Sequence, residues 1–177
     1  MTPPIITFAA YSKTGKTTYI ETLIRCLKAM GLRVAVIKHD AHEFSLDVEG
    51  KDSQRFAAAG ADCVALSSGT RFAYFEQNPL PLEEIAARLH GDIILTEGYK
   101  FGPYPKVAVY RASSGKDLAV APESCIAVVS DTPLEVGCPL FPLDDAGPLA
   151  EFLVKEFRLS PGEDRTDGGK TDGCIKR

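Results

Sequence analysis

A chain of 177 residues is long enough to bury one substantial core and too short for two full domains. With 45% hydrophobic and 25% charged residues and a net charge of -4, the composition is that of an ordinary soluble globular protein and excludes a broad basic nucleic-acid surface. Five scattered cysteines (Cys26, Cys63, Cys125, Cys138, Cys174) without a C-x-x-C pair exclude a disulfide framework and a cysteine zinc site; with no signal segment or membrane-length apolar run, the expected place is the reducing cytoplasm.

The first apolar run, Ile5 to Ala10, reads as a strand, and it leads into Ser12-Lys13-Thr14-Gly15-Lys16-Thr17-Thr18. A strand, a tight loop and a helix start in that order form a phosphate cradle, because loop N–H groups and the positive helix end face the same anion. In such a loop Lys16 neutralises the β and γ oxygens, and the Thr17 hydroxyl ligates Mg²⁺. Against the pattern G-x-x-x-x-G-K-[ST], Ala10 stands at the first glycine position, which is tolerable at negative φ. Lys13 occupies the middle of the loop, where it either adds charge to the phosphates or points into water.

Tyr19, Ile20, Leu23, Ile24, Leu27 and Met30 keep helical spacing, so a helix is expected over residues 16 to 30 with Gly31 as its left-handed stop. Arg33 to Lys38 is the second strand of a βαβ unit. A short extended piece, Glu43 to Asp47, then a turn at Gly50-Lys51-Asp52, precede a helix from about Ser53 to Ala59 with Asp52 as its N-cap. Cys63 to Ser67 and Arg71 to Phe75 flank Ser68-Gly69-Thr70 as a hairpin. The unpaired edge of Arg71 to Phe75 is either a subunit interface or a strand covered by a loop. Leu82 to Leu89 is helical, with Pro81 in its first turn.

Asp92 to Thr96, Lys106 to Tyr110 and Cys125 to Val129 are three further buried strands. A last helix spans about Ala146 to Phe157. Near-continuous apolar strands alternating with helices predict an α/β fold: a P-loop NTPase-like, three-layer arrangement with a mostly parallel sheet flanked by helices. One nucleotide-binding domain is expected over residues 1 to 159, and the polar segment 160 to 177 has too little to bury to fold with it.

In open α/β sheets ligands bind beyond the carboxyl ends of the strands, and this places Lys38-His39-Asp40, Glu97-Gly98-Tyr99-Lys100 and Ser130-Asp131 beside the loop. Asp40 and Glu97 are the acids best placed to hold Mg²⁺, directly or through water. Lys16 and Glu97 are expected to carry the chemistry. His39-Asp40-Ala41-His42-Glu43 has the donor types of a transition-metal site without a zinc spacing. Asp131 either accepts from the guanine N1 and N2 donors, which would select GTP, or serves a turn. No dedicated base or arginine finger is identifiable; Arg71 and Arg111 are the candidate charge stabilisers.

Taken as an ordered set, the phosphate loop from Ser12 to Thr18, Val36-Ile37-Lys38-His39-Asp40, Gly50-Lys51-Asp52-Ser53, Gly60-Ala61, Ile94 to Lys100 and Lys106-Val107 resembles the molybdopterin-guanine dinucleotide biosynthesis protein B family. The resemblance covers most of residues 4 to 131 and is carried more by the Lys-His-Asp and Gly-Lys-Asp-Ser segments than by the loop. It implies a homodimer that binds GTP with Mg²⁺, hydrolyses it slowly, and assists the guanylyltransferase of the molybdenum cofactor, with molybdopterin itself as a further candidate ligand. An ATP-dependent kinase or ligase of the dethiobiotin synthetase type is the alternative.

Overall fold

The computed structural model describes residues 3–39 and 51–161. The expected extended piece at Glu43 to Asp47, Asp40 and His42 of the candidate metal stretch, and the chain after Pro161 lie outside the described residues. Six parallel strands form one sheet: β1 (Ile5–Ala9), β2 (Val34–Lys38), β5 (Ile93–Glu97), β6 (Lys106–Tyr110), β7 (Cys125–Ser130) and β8 (Leu140–Pro142), in the order β2-β5-β1-β6-β7-β8. β1 is buried along its whole length because it is covered on both faces, which is why it reads as an unbroken apolar run.

On one face, Ile6, Phe8, Leu95 and Val107 pack with Leu23 and Leu27 of α1 (Lys16–Ala29) and with Leu149 and Leu153 of α4 (Gly147–Glu156). On the other, Ile5, Ile37 and Ile94 meet Leu82 and Ala86 of α3 (Leu82–Ala87). Further along that face Ala108, Cys125 and Val128 are covered by loop residues such as Leu118 and Val136, so loops complete a layer that the alternation of strands and helices assigned to helices. The connection from β5 to β6 has no helix; its Tyr99 and Tyr104 pack on the sheet, and the Tyr104 hydroxyl donates to the Glu83 carboxylate of α3. Thr7 and Thr96, paired across β1 and β5, are fully buried and satisfy each other, Thr96 Oγ1 donating to Thr7 Oγ1 at 3.0 Å.

The hairpin stands as expected, with β3 (Cys63–Ser67) antiparallel to β4 (Phe72–Glu76), but it forms a sheet of its own. The α2 helix (Asp52–Ala58) packs against β3. Lys51, not Asp52, is the extended N-cap residue of α2, and Asp52 is the first helical residue, ion-paired with Arg55 at 3.2 Å. An acid in that first turn gains from the helix dipole, which offsets the lost capping bond. Likewise Pro81 caps α3 from outside the helix, because its ψ of 151 is extended. β8 escaped sequence reading because it is only three residues long, follows Pro139 and ends on Pro142.

Candidate functional site

β1 lies inside the sheet, between β5 and β6, so its carboxyl end delivers the loop between the ends of those two strands. That position brings three predicted residues together. Lys16 Nζ lies 3.2 Å from Glu97 Oε1, and Thr17 Oγ1 donates to Glu97 Oε1 and Oε2 at 3.2 and 3.4 Å. Glu97 is aligned with Phe8 of β1 and Lys38 of β2, so sheet register alone sets its carboxylate over the start of α1.

The loop's shape comes from two left-handed residues. Gly15 has φ +89, and a Cβ there would also meet Arg111 Nη2 at 3.0 Å, so both backbone and space require glycine. Lys13 has φ +69, which makes it the strained residue of the loop; Ala10 is not among the positive-φ residues, in keeping with the tolerance expected for it. Thr14 is buried, its hydroxyl donating to Tyr11 O at 3.0 Å and its carbonyl accepting from Arg111 Nε at 2.9 Å. Helix α1 starts from Gly15 with no side-chain cap and no acid in its first turn. Its leading N–H groups and the positive end of the dipole therefore face a cavity of about 380 Å³ lined by residues 10 to 18 and Glu97. Ser12, Lys13 and Thr18 all line it.

Glu97 is held in place by its neighbours. His39 N–H donates to Glu97 O at 2.8 Å, and Gly98, at φ +103, has His39 Cβ only 2.8 Å from where its own Cβ would sit. Tyr99, also left-handed at φ +51, stacks its ring on His39 with centroids 4.5 Å apart. Thr17 and Glu97 supply a hydroxyl and a carboxylate, the hard oxygen donors Mg²⁺ takes, so this donor set fits that ion. Among the described residues no cluster of three His, Cys, Asp or Glu is poised to hold a metal.

Arg111 stands in the site through its hold on Thr14 O, whereas Arg71 lies in the hairpin turn, where Ser68 N–H donates to its carbonyl. Asp131 does not line the loop's cavity; its Oδ1 accepts the Ala112 N–H at 2.8 Å and anchors the turn after β6. Sequence reasoning gave no role to Tyr11 or Lys116, whose only signal is proximity to the loop and to the end of a strand. A second cavity, about 510 Å³ and lined by Pro3, Pro4, Ile5, Ala86 and Tyr104 among others, sits at the amino ends of the strands and is mostly apolar. Its position and lining make it the poorer ligand site.

The sequence model of molybdopterin guanine dinucleotide synthesis protein B matches residues 5–131. A molybdopterin-guanine dinucleotide biosynthesis adapter protein of Escherichia coli is 37% identical over 168 residues, spanning 90% of this chain and 96% of the relative. An adapter protein of the same description from Haemophilus influenzae is 37% identical over 155 residues, 85% of this chain and 87% of the relative. Among solved structures, Bacillus subtilis MobB superposes with a TM-score of 0.69 at 30% identity, covering 90% of this chain and 99% of that one.

Proposed function

The chain belongs to the molybdopterin guanine dinucleotide synthesis protein B family, and from that premise we propose that it is an adapter of molybdopterin-guanine dinucleotide biosynthesis that binds GTP with Mg²⁺ at the phosphate loop, hydrolyses it slowly, and assists the enzyme that joins GMP to molybdopterin. The observation that carries the reading is the Lys16, Thr17 and Glu97 cluster at the uncapped start of α1. Lys16 exchanges its carboxylate partner for phosphate oxygens, which accept charge-assisted hydrogen bonds from it and from the helix N–H groups. Thr17 and Glu97 would hold Mg²⁺, which when bound neutralises charge on the β and γ phosphates. Arg111 holds the loop in shape through Thr14 O and adds a guanidinium charge at Gly15.

Slow turnover follows from what Glu97 already does. Among the described residues it is the only acid lining the cavity, and once Lys16 turns to the phosphates it would be committed to Mg²⁺ with Thr17, which leaves no free carboxylate there to orient water. Asp40 is proposed as a second magnesium ligand on the strength of its place after β2. The guanine in the relatives' described product favours GTP over ATP. Calorimetric titration with GTP and ATP, each with and without Mg²⁺, tests the assignment. Mg²⁺-dependent preference for GTP is expected; preference for ATP would favour the kinase or ligase alternative, and binding of neither would refute the nucleotide site.

Homodimerisation through the hairpin belongs to the same proposal. Pairing across β3 and β4 puts Phe72 and Tyr74 on one face with Ser67 and Ala65, opposite the face that carries Val64 and Phe75. Phe72 is 72% exposed and Tyr74 49%, an apolar face of the kind that marks an interface. No described helix is long and apolar enough to cross a membrane, and a cytoplasmic setting is part of the proposed role.

A further inference from the structure

We propose that Glu97 is an autoinhibitory carboxylate as well as a metal ligand: with no divalent cation bound it holds Lys16 away from an incoming polyphosphate, and it lets go only when a cation takes its charge. The inference rests on the nucleotide reading of this site and adds its regulation. Lys16 and Thr17 are the first two residues of α1, and both are bound to the one carboxylate. Lys16 Nζ lies 3.2 Å from Oε1, and Thr17 Oγ1 donates to Oε1 and Oε2 at 3.2 and 3.4 Å. The side chains of the ion pair are only 17% and 21% exposed, so water and salt screen their attraction less than they would an open pair. The charge suited to phosphate and the hydroxyl suited to a cation are thus both engaged by the protein itself.

The fold gives the Glu97 main chain no room to withdraw. It is the last residue of β5, in register with Phe8 on one side and Lys38 on the other. The preceding Thr96 is buried and bonded to Thr7, and the Glu97 carbonyl accepts the His39 N–H at 2.8 Å. Gly98 follows at φ +103, where a Cβ would stand 2.8 Å from His39 Cβ. A strand end pinned on every side keeps its carboxylate at the cavity, where among the described residues it is the only acid beside Lys13, Lys16 and the uncapped start of α1. A polyphosphate arriving alone meets this like charge and must also draw Lys16 from it, and both terms weaken its binding. When the carboxylate is shared between a cation and Thr17, Lys16 is released to the phosphates, so cation and anion are coupled through one side chain. A carboxylate that serves only as a metal ligand would leave metal-free binding unchanged on its removal, whereas one that also holds Lys16 would raise it.

Calorimetric titration of the full chain with tripolyphosphate, GTP and ATP, each in EDTA and in excess Mg²⁺, tests the block against two variants. Glu97→Gln keeps the shape and removes the charge, Glu97→Ala removes the side chain's grip on Lys16 altogether, and circular dichroism checks that both fold. In EDTA both variants should bind tripolyphosphate about tenfold more tightly than the parent. The factor by which Mg²⁺ strengthens binding should shrink by at least about tenfold in each. Because the block works through Lys16, the gain from Glu97→Gln in EDTA should fall at least about threefold when it is measured in a Lys16→Ala background. Metal-free affinity that is equal in parent and variants, lower in the variants, or undetectable in all of them would overturn the proposal. A gain of the same size in the Lys16→Ala background would also overturn it, since Glu97 would then act by general repulsion alone. Failure of the parent to bind GTP or ATP in Mg²⁺ would instead sink the nucleotide reading, and the tripolyphosphate titrations in EDTA would still decide the block.

Discussion

The loop end of the main sheet and the β3–β4 hairpin treat their side chains in opposite ways. Around the loop, Thr14 bonds Tyr11 and Arg111, Thr7 bonds Thr96, and Glu97 meets both Lys16 and Thr17. On the hairpin, aromatic side chains face outward from a two-stranded sheet that shares no strand with the main one. A hairpin of two strands is marginal by itself and gains stability when a third surface covers it. The first region is therefore finished within one chain, whereas the second leaves an apolar face that the proposed interface would cover.

The largest test of that contrast removes the charge at the loop. Lys16→Ala should weaken nucleotide binding by about 100-fold, roughly 3 kcal/mol, because a charge-assisted phosphate contact goes while the fold keeps its core. Calorimetry on the variant reads this directly, and unchanged affinity would remove Lys16 from the site. The hairpin should respond in the opposite sense. Phe72→Asp should leave the unfolding temperature of the subunit nearly unchanged, since the ring is mostly exposed in the chain, yet convert a dimer to a monomer by light scattering. A parent that is already monomeric, or a variant that keeps the dimer mass, would remove this face from the interface.

The two regions also differed in how far the sequence revealed them. Strand and helix periods placed all of the main elements except β8, since apolar runs buried on both faces and an amphipathic α1 leave strong local signals. The meeting of Lys16 with Glu97, 81 positions apart in the chain, was legible because strand ends in a parallel sheet share one edge. Arg111 was only nameable as a candidate, since its bond to Thr14 O depends on β6 lying next to β1, a pairing no local pattern encodes. The same holds for Tyr11 with Lys100 and Lys116, which three different segments bring together. Capping residues were misplaced by one position at α2 because the choice between Lys51 and Asp52 turns on a single ψ angle.

Lys13 offers a smaller effect within the finished region. A side chain at φ +69 costs about 1–2 kcal/mol relative to the right-handed region, and replacing it with glycine returns that strain while adding about 0.5–1 kcal/mol of unfolded-chain entropy. Lys13→Gly should therefore raise stability by about 0.5 kcal/mol in urea unfolding. A loss of stability would mean that the Lys13 side chain makes a stabilising contribution larger than the strain it causes.

The smallest effect concerns the tie between the two regions. Arg88, the residue that ends α3, pairs with Glu76 at the end of β4 at 2.9 Å, joining the hairpin to a helix that packs on the main sheet. That guanidinium holds the Glu76 carboxyl below the usual glutamate range, so the contact is complete above that range and is lost as the pH falls through the lowered value. The pair is open to solvent, which limits its weight in global stability. Its signature should be local: amide exchange at Gln77, whose N–H bonds Asp62 O at 2.9 Å, should quicken at acid pH by more than intrinsic exchange chemistry accounts for. Glu76→Gln should reproduce the loosening at neutral pH, with the midpoint of global unfolding almost unmoved. If exchange at Gln77 ignores both changes, the packing of α2 on β3 holds the hairpin without this bridge, and the hairpin is more self-sufficient than its exposed aromatic face implies.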